Sequence, residues 1–270
     1  MSRAGLTLNA IPAQVLEALG QARALRSLPQ GMTSSVALVE TDRGLRVVKR
    51  ARGGLFAGWL EKEHRALTAL STTGLPTPKP LAFARTETGL VPESWLATQH
   101  LPGQTLADAL SANPEPAKRT ALLRSFGQAL AAIHATPAPA QIPRPAPSWL
   151  DFMLEGAGEN LEHFAVDGTA ELLARLRANP PAPVAPTLIH GDYTIDNALV
   201  EDDRVTGVID WSGCAVGDPR YDLALATRPQ DGAFDGETRP ADLEAFYAGY
   251  GGVPLSEAEA SYFIGLYEFF

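Results

Sequence analysis

The sequence predicts an α+β chain of two lobes: a small antiparallel-sheet lobe over residues 1–98, a hinge over residues 99–104, and a mostly helical lobe over residues 105–270. Three observations predict it. The first hundred residues alternate strand-like and helix-like segments, Leu101-Pro102-Gly103 punctuates them, and apolar residues beyond recur mainly at helical spacing.

Residues 36–40 and 45–49 read as strands of a hairpin. Thr41-Asp42-Arg43-Gly44 joins them and is rich in residues that tolerate positive φ. Residues 60–70 follow as a helix with His64, Leu67 and Leu70 at helical spacing, and residues 94–98 as a short strand. Past the hinge, Leu122, Leu123, Phe126, Leu130 and Ile133 mark the buried stripe of an amphipathic helix. Pro-rich stretches at 136–147 and 179–186 bracket a further helical insert and read as loops within the lobe. Residues 187–190, 198–200 and 205–210 read as short strands, the last two joined by a Glu-Asp-Asp-Arg turn. Leu243, Phe246, Tyr247 and Tyr250 give one closing helix, and Ser256 with Glu259 is a capping box opening another.

Composition removes several classes of function. With 270 residues, 45% of them hydrophobic, the chain has material for a sizeable core. No basic stretch followed by an apolar run opens the chain, and no apolar run approaches the length of a membrane span, so neither secretion nor a membrane is expected. Cys214 is the single cysteine, and no Cys/His spacing suggests zinc; a reducing cytoplasm fits. A formal charge of −9 argues against nucleic acid and is compatible with a cationic ligand.

The densest chemical signal is His190-Gly191-Asp192-Tyr193-Thr194-Ile195-Asp196-Asn197, followed by an apolar hairpin that ends in Val208-Ile209-Asp210-Trp211. Phosphoryl transfer needs a carboxylate to orient and deprotonate a hydroxyl, oxygen ligands for Mg²⁺, and cations on the phosphates. Asp192 and Asn197 have the spacing of a kinase catalytic loop, and Asp210 is placed to reach the same metal. Each residue alone has an ordinary explanation, a turn Asp or a loop Asn; their order between apolar strands does not. An upstream partner is then expected. Lys49 ends an apolar strand, where an edge lysine is the plain alternative. Glu63 shares helical spacing with Leu67 and Leu70 and so is expected to face Lys49, with Glu61 as its competitor. The loop from Gln30 to Ser35, with Ser34 and Ser35, would cover the phosphates with backbone N–H and hydroxyl groups.

These residues resemble the aminoglycoside phosphotransferase family, the antibiotic-kinase branch of the protein-kinase-like fold. The motif His-Gly-Asp, four residues, Asn, then a strand ending in Asp continues here as Gly217-Asp218-Pro219 and Asp222-Leu223-Ala224. The resemblance spans nearly the whole chain. It implies Asp192 as base, Asn197 and Asp210 on Mg²⁺, Lys49 on phosphate of ATP or GTP, backbone groups of Gln99 and Leu101 on the adenine, and Asp218 and Asp222 as braces of the catalytic loop. The family phosphorylates aminoglycosides, macrolides, choline, homoserine, methylthioribose and ketosamines, so the core motif leaves the acceptor open.

Two features lean toward an amino-bearing acceptor. Residues 148–171 carry Asp151, Glu155, Glu159, Glu162, Asp167 and Glu171 with no Lys or Arg. If helical, the first four fall on roughly one face; the plain alternative is a solvated face, with Gly156 and Gly158 as places where a helix can break. The terminus Leu266-Tyr267-Glu268-Phe269-Phe270 resembles the Leu-Asp-Glu-Phe-Phe ending of 3′-aminoglycoside phosphotransferases. There the Glu and the terminal carboxylate, here Glu268 and Phe270, meet drug amino groups; Tyr267 replaces the Asp. The expectation is transfer to an aminoglycoside 3′-hydroxyl. The rivals are a metabolic kinase of another amine or amino-sugar alcohol, a catalytically idle nucleotide-binding regulator, and a metal hydrolase built on His190, Asp192 and Asp210.

Overall fold

A computed structural model of the chain describes residues 6–28, 33–88, 90–112 and 114–270. It divides into two compact units, Met1–Pro102 with Ile209–Ser212, and Gly103–Val208 with Gly213–Phe270.

In the first unit, α1 (Ala13–Leu19) leads into β1 (Ala22–Ser27), β2 (Ser35–Thr41), β3 (Gly44–Arg52), α2 (Gly54–Leu70), β4 (Pro80–Thr88) and β5 (Val91–Gln99). The strands form one antiparallel sheet in the order β1-β2-β3-β5-β4. The hairpin read at 36–49 is β2 and β3, closed by a tight turn in which Arg43 N donates to Thr41 Oγ1. One sheet face packs Val39, Val48, Trp95 and Ala97 against Val15 and Leu19 of α1. Successive strand residues point to opposite faces. Lys49 and Leu96, paired across β3 and β5, therefore share the other face, which α2 covers. That is why β5 reads as an unbroken buried run rather than an alternating one: both of its faces are covered. Sequence reading did not identify α1, β1 or β4. Each has weak alternation, and β4 starts at Pro80, a residue that usually marks a break.

The second unit holds β6 (Gln104–Thr105), α3 (Leu106–Ser111), α4 (Pro116–Ala135), α5 (Trp149–His163), α6 (Ala170–Ala178), β7 (Thr187–Ile189), β8 (Ala198–Glu201), β9 (Arg204–Val208), β10 (Ala215–Gly217), α7 (Pro219–Thr227), α8 (Arg239–Tyr250) and α9 (Glu257–Tyr267). The stripe from Leu122 to Ile133 is buried on α4 as expected. It packs on α8 at backbone contact distance. A Cβ on Gly127 would stand 2.1 Å from Phe246 O, and one on Gly249 1.9 Å from Arg124 O, so this crossing admits only glycine. A second core gathers Trp149, Leu154, Leu173, Leu176, Tyr221, Phe263 and Leu266 from α5, α6, α7 and α9, with Phe269 just beyond α9. The Ser256–Glu259 capping box opens α9 as read from sequence.

The structure decides one open alternative, corrects one expectation and adds one element. α5 runs unbroken through Gly156 and Gly158, because Ser148 caps its N-terminus and Leu154 and Ala157 bury its inner face. The strand expected to end at Asp210 stops at Val208, and Asp210 itself adopts a left-handed φ of 64°. Residues 219–227, read only as a motif, form α7, N-capped by Asp218 with Pro219 in its first turn.

Candidate active site

Lys49 emerges from β3 onto the face that α2 covers, and its Nζ lies 2.7 Å from Glu63 Oε1. The helix phase inferred from Leu67 and Leu70 is therefore right. Glu63 is 5% exposed, whereas Glu61 pairs with Arg65 and Arg85 instead. Lys49 Nζ also bonds Asp210 Oδ1, within the same unit. Burial works against the Lys49 charge, but the carboxylates of Asp210 and Glu63 outweigh it and hold the ammonium protonated, well above the ordinary lysine range. Glu63 is pushed the opposite way, upward, by burial and by the charge of Asp210. One cation shared between two carboxylates explains both directions: the cluster carries an excess negative charge, and the more buried carboxylate bears the strain. Asp210 is the non-glycine residue of this cluster held at positive φ, a conformation that costs energy and concentrates at functional sites.

In the second unit the segment 190–197 connects β7 to β8. Gly191 has φ 84°, and a Cβ there would meet Gly213 O at 2.3 Å, so the motif glycine is required sterically. Asp222, fully buried on α7, accepts from His190 N at 2.6 Å and Gly191 N at 2.8 Å, and His134 Nε2 lies 3.2 Å from the same carboxylate. Its role as a brace for the loop follows from these contacts. Asp218 instead caps α7 and pairs with Arg220. Tyr193 donates its hydroxyl to Phe126 O at 2.9 Å and so ties the loop to α4.

Asp192 is held by donors on both carboxylate oxygens. Asn197 Nδ2 donates to Asp192 O at 2.8 Å and to Oδ2 at 2.9 Å, and the Tyr267 hydroxyl donates to Oδ1 at 3.2 Å. With its nitrogen spent on Asp192, Asn197 retains its carbonyl oxygen for another partner. That oxygen is a hard donor of the kind Mg²⁺ takes, and in the first unit the Asp210 carboxylate is another. Among the described residues no cluster of three or more His, Cys, Asp or Glu side chains gathers, and a cation completed by phosphate oxygens needs none.

The remaining expected residues are more dispersed. Gln30, Gly31 and Met32 lie outside the described residues; Ser34 precedes β2, and Ser35 begins it opposite Arg50. Gln99 N donates to Lys79 O at 2.9 Å, so the sheet already uses that group. Glu155, Glu159 and Glu162 lie on the exposed face of α5. Glu268 is half-buried and Phe270 exposed, next to Gly156 of α5. The end of α9 is firmly tied: Asn160 Nδ2 donates to Phe269 O and Gly168 N to Glu268 O, both at 2.9 Å. Sequence reasoning missed His134 and the Tyr267 contact. The signal for the first was a polar residue closing the apolar stripe of α4. None of the described helices is long and apolar enough to cross a membrane.

Comparison with known proteins bears on the family and the fold. The chain is 26% identical over 200 residues to acyl-CoA dehydrogenase family member 10 of Mus musculus, covering 68% of this chain but only 18% of that protein. It thus spans about a fifth of that relative's length. It is 28% identical over 224 residues to an aminoglycoside 3′-phosphotransferase of Streptomyces fradiae, covering 78% of this chain and 80% of that one. Among solved structures, aminoglycoside-3′-phosphotransferase of type VIII superposes with a TM-score of 0.70 at 23% identity, over 91% of this chain and 94% of that one. At that identity the likeness shows the fold, the protein-kinase-like α+β fold expected from the sequence. The family model for the phosphotransferase enzyme family, APH, matches residues 24–262, and the chain belongs to that family.

Proposed function

We propose that this chain is a kinase that moves the γ-phosphate of ATP or GTP onto a hydroxyl of a small amino-bearing molecule. The observation that carries the reading is the fixed Asp192 carboxylate. Asn197 grips it by side chain and backbone, on a loop whose amides are anchored by the buried Asp222. A catalytic base needs this fixed orientation, because phosphoryl transfer is governed mainly by positioning and charge.

In this reading Asp192 accepts the proton of the attacking hydroxyl. Lys49, held by Glu63, binds nucleotide phosphate. Ser34 and Ser35 contribute to the loop over the phosphates, and the backbone of residues 99–101 contacts the base, with Gln99 offering its carbonyl rather than its N–H. Asn197 and Asp210 are the ligands for Mg²⁺. Bound there, the metal would neutralise charge on the phosphates. Residues 99–104 act as the hinge between the lobes.

For the acceptor, an aminoglycoside 3′-hydroxyl is the first choice. The Streptomyces fradiae relative and the acidic exposed face of α5 support it. Glu155, Glu159, Glu162, Glu268 and the terminal carboxylate of Phe270 are the proposed ammonium contacts. A metabolic kinase of another amino alcohol or amino sugar is the second reading. It is favoured by Tyr267, a neutral donor to Asp192 at the position of an acceptor-binding Asp. A panel assay separates the two: nucleotide turnover against neomycin, kanamycin, a macrolide, choline and amino sugars, with D192A as control. Turnover with an aminoglycoside that D192A lacks is expected. Turnover with choline or an amino sugar alone moves the assignment to the second reading, and no acceptor-dependent turnover refutes the kinase.

A further inference from the structure

Tyr267 stands where the resemblance implies an Asp, and its hydroxyl is directed at the catalytic loop. It donates to Asp192 Oδ1 at 3.2 Å while Asn197 holds Oδ2 at 2.9 Å, so the two oxygens are gripped by two different elements of the chain. We propose that Tyr267 is a positioning residue for Asp192, fixing the orientation of the carboxylate from the end of α9. The inference rests on the assignment of Asp192 as the base.

The setting of Tyr267 supports this role. It is the last residue of α9, and its neighbours anchor that end. Phe263, Leu266 and Phe269 are fully buried, Asn160 bonds Phe269 O, and Gly168 bonds Glu268 O. The hydroxyl is therefore presented by a rigid element rather than a loose tail. Arg228 lies over the Tyr267 ring, its guanidinium carbon 4.7 Å from the centroid, and fixes the ring from the other side. The chemistry also fits. A carboxylate at position 267 would place like charges side by side, whereas a phenol donates a hydrogen bond and adds no charge. A carboxylate oxygen accepts more than one donor, so the contact leaves Oδ1 able to accept from a substrate hydroxyl as well.

Y267F tests this, because it keeps the ring under Arg228 and removes the hydroxyl that bonds Asp192 and meets Arg228. The probes are Mg·ATP with each acceptor of the panel above and with water as acceptor. With the best of them, kcat of Y267F is expected to fall about fivefold to tenfold, the scale of one hydrogen bond to a charged group, with KM for Mg·ATP within about twofold of the parent. A packing defect would instead raise KM for Mg·ATP and lower Tm independently of Asp192. A double-mutant cycle gives a readout independent of turnover. Y267F and D192A share a contact, so the Tm loss of the double variant should fall short of the sum of the singles by about 2 °C. An additive cycle overturns the assignment, as does a Y267F enzyme with kcat within about twofold of the parent beside an inactive D192A. If D192A retains turnover, or the parent transfers phosphate neither to water nor to any acceptor of the panel above, the kinase reading fails and the role of Tyr267 fails with it.

Discussion

The two units carry two clusters of different character. In the first, Lys49 and Glu63, both largely buried, and the partly exposed Asp210 form a charge-dense group in which one cation serves two carboxylates. In the second, Asp192 is a single carboxylate held by neutral donors, the amide of Asn197 and the phenol of Tyr267, on a loop fixed through its backbone by Asp222. The first arrangement suits a site that binds charge, since a triad with excess negative charge is completed by a cation and its phosphates. The second suits a site that must hold one oxygen in place without neutralising it, which is the requirement on a base. The difference teaches that charge and positioning are supplied here by separate parts of the chain.

Removing Asp192 should break the comparison most sharply. D192A is expected to lose about 10²–10⁴-fold in turnover, the usual scale for a general base. Steady-state assay of the folded variant checks this, and a loss below about tenfold takes Asp192 out of the role.

Asp222→Ala comes next. It strands the buried amides of His190 and Gly191 together with His134, and should cost roughly 3 kcal/mol in urea unfolding along with most of the activity. Full activity in a destabilised D222A would show that the loop does not depend on this brace.

Changes in the first cluster should act on binding instead. Lys49→Ala should weaken nucleotide binding by about tenfold or more. Asp210→Asn should raise the Mg²⁺ concentration needed for half-maximal rate, since an amide is the poorer ligand for a hard dication. Titrating nucleotide and Mg²⁺ separately distinguishes the two, and a kcat effect alone in both variants would erase the contrast between the clusters.

The smallest effect is one of pH. Burial, and after it the charge of Asp192, push the Tyr267 phenol up to about 12. In the unfolded chain it titrates near about 10. A raised folded pKa means the unfolded state releases the proton first. The stabilisation is therefore complete below about pH 10 and is lost as pH rises toward about 12. Tm measured across that window should fall less steeply in Y267F than in the parent; equal slopes would show the phenol is not held this way.

Legibility in the sequence followed the strength of local signals. Helical spacing with Leu67 and Leu70 was enough to turn Glu63 inward, and the polar residues between two apolar strands were enough to place the β8–β9 turn, where Asp202 and Asp203 both take positive φ. The strong stripe of α4 and the capping box of α9 were equally readable. Other features depended on tertiary context. The glycines of α5 suggest a break, and the Ser148 cap with burial of Leu154 and Ala157 overrides them. Asp210 continues an apolar run, so nothing local announces that the chain turns to positive φ there. Tyr267 is visible as a departure from a motif, but its bond to Asp192 links positions 75 residues apart and follows only from how α9 packs.

The division of labour between the clusters is tested most directly by binding of Mg·ATP to D192A beside K49A, measured by calorimetry on folded protein. The account predicts that D192A binds the nucleotide within about twofold of the parent yet phosphorylates nothing, while K49A binds about tenfold or more weaker. Loss of nucleotide binding in D192A, or unchanged binding in K49A, would contradict it.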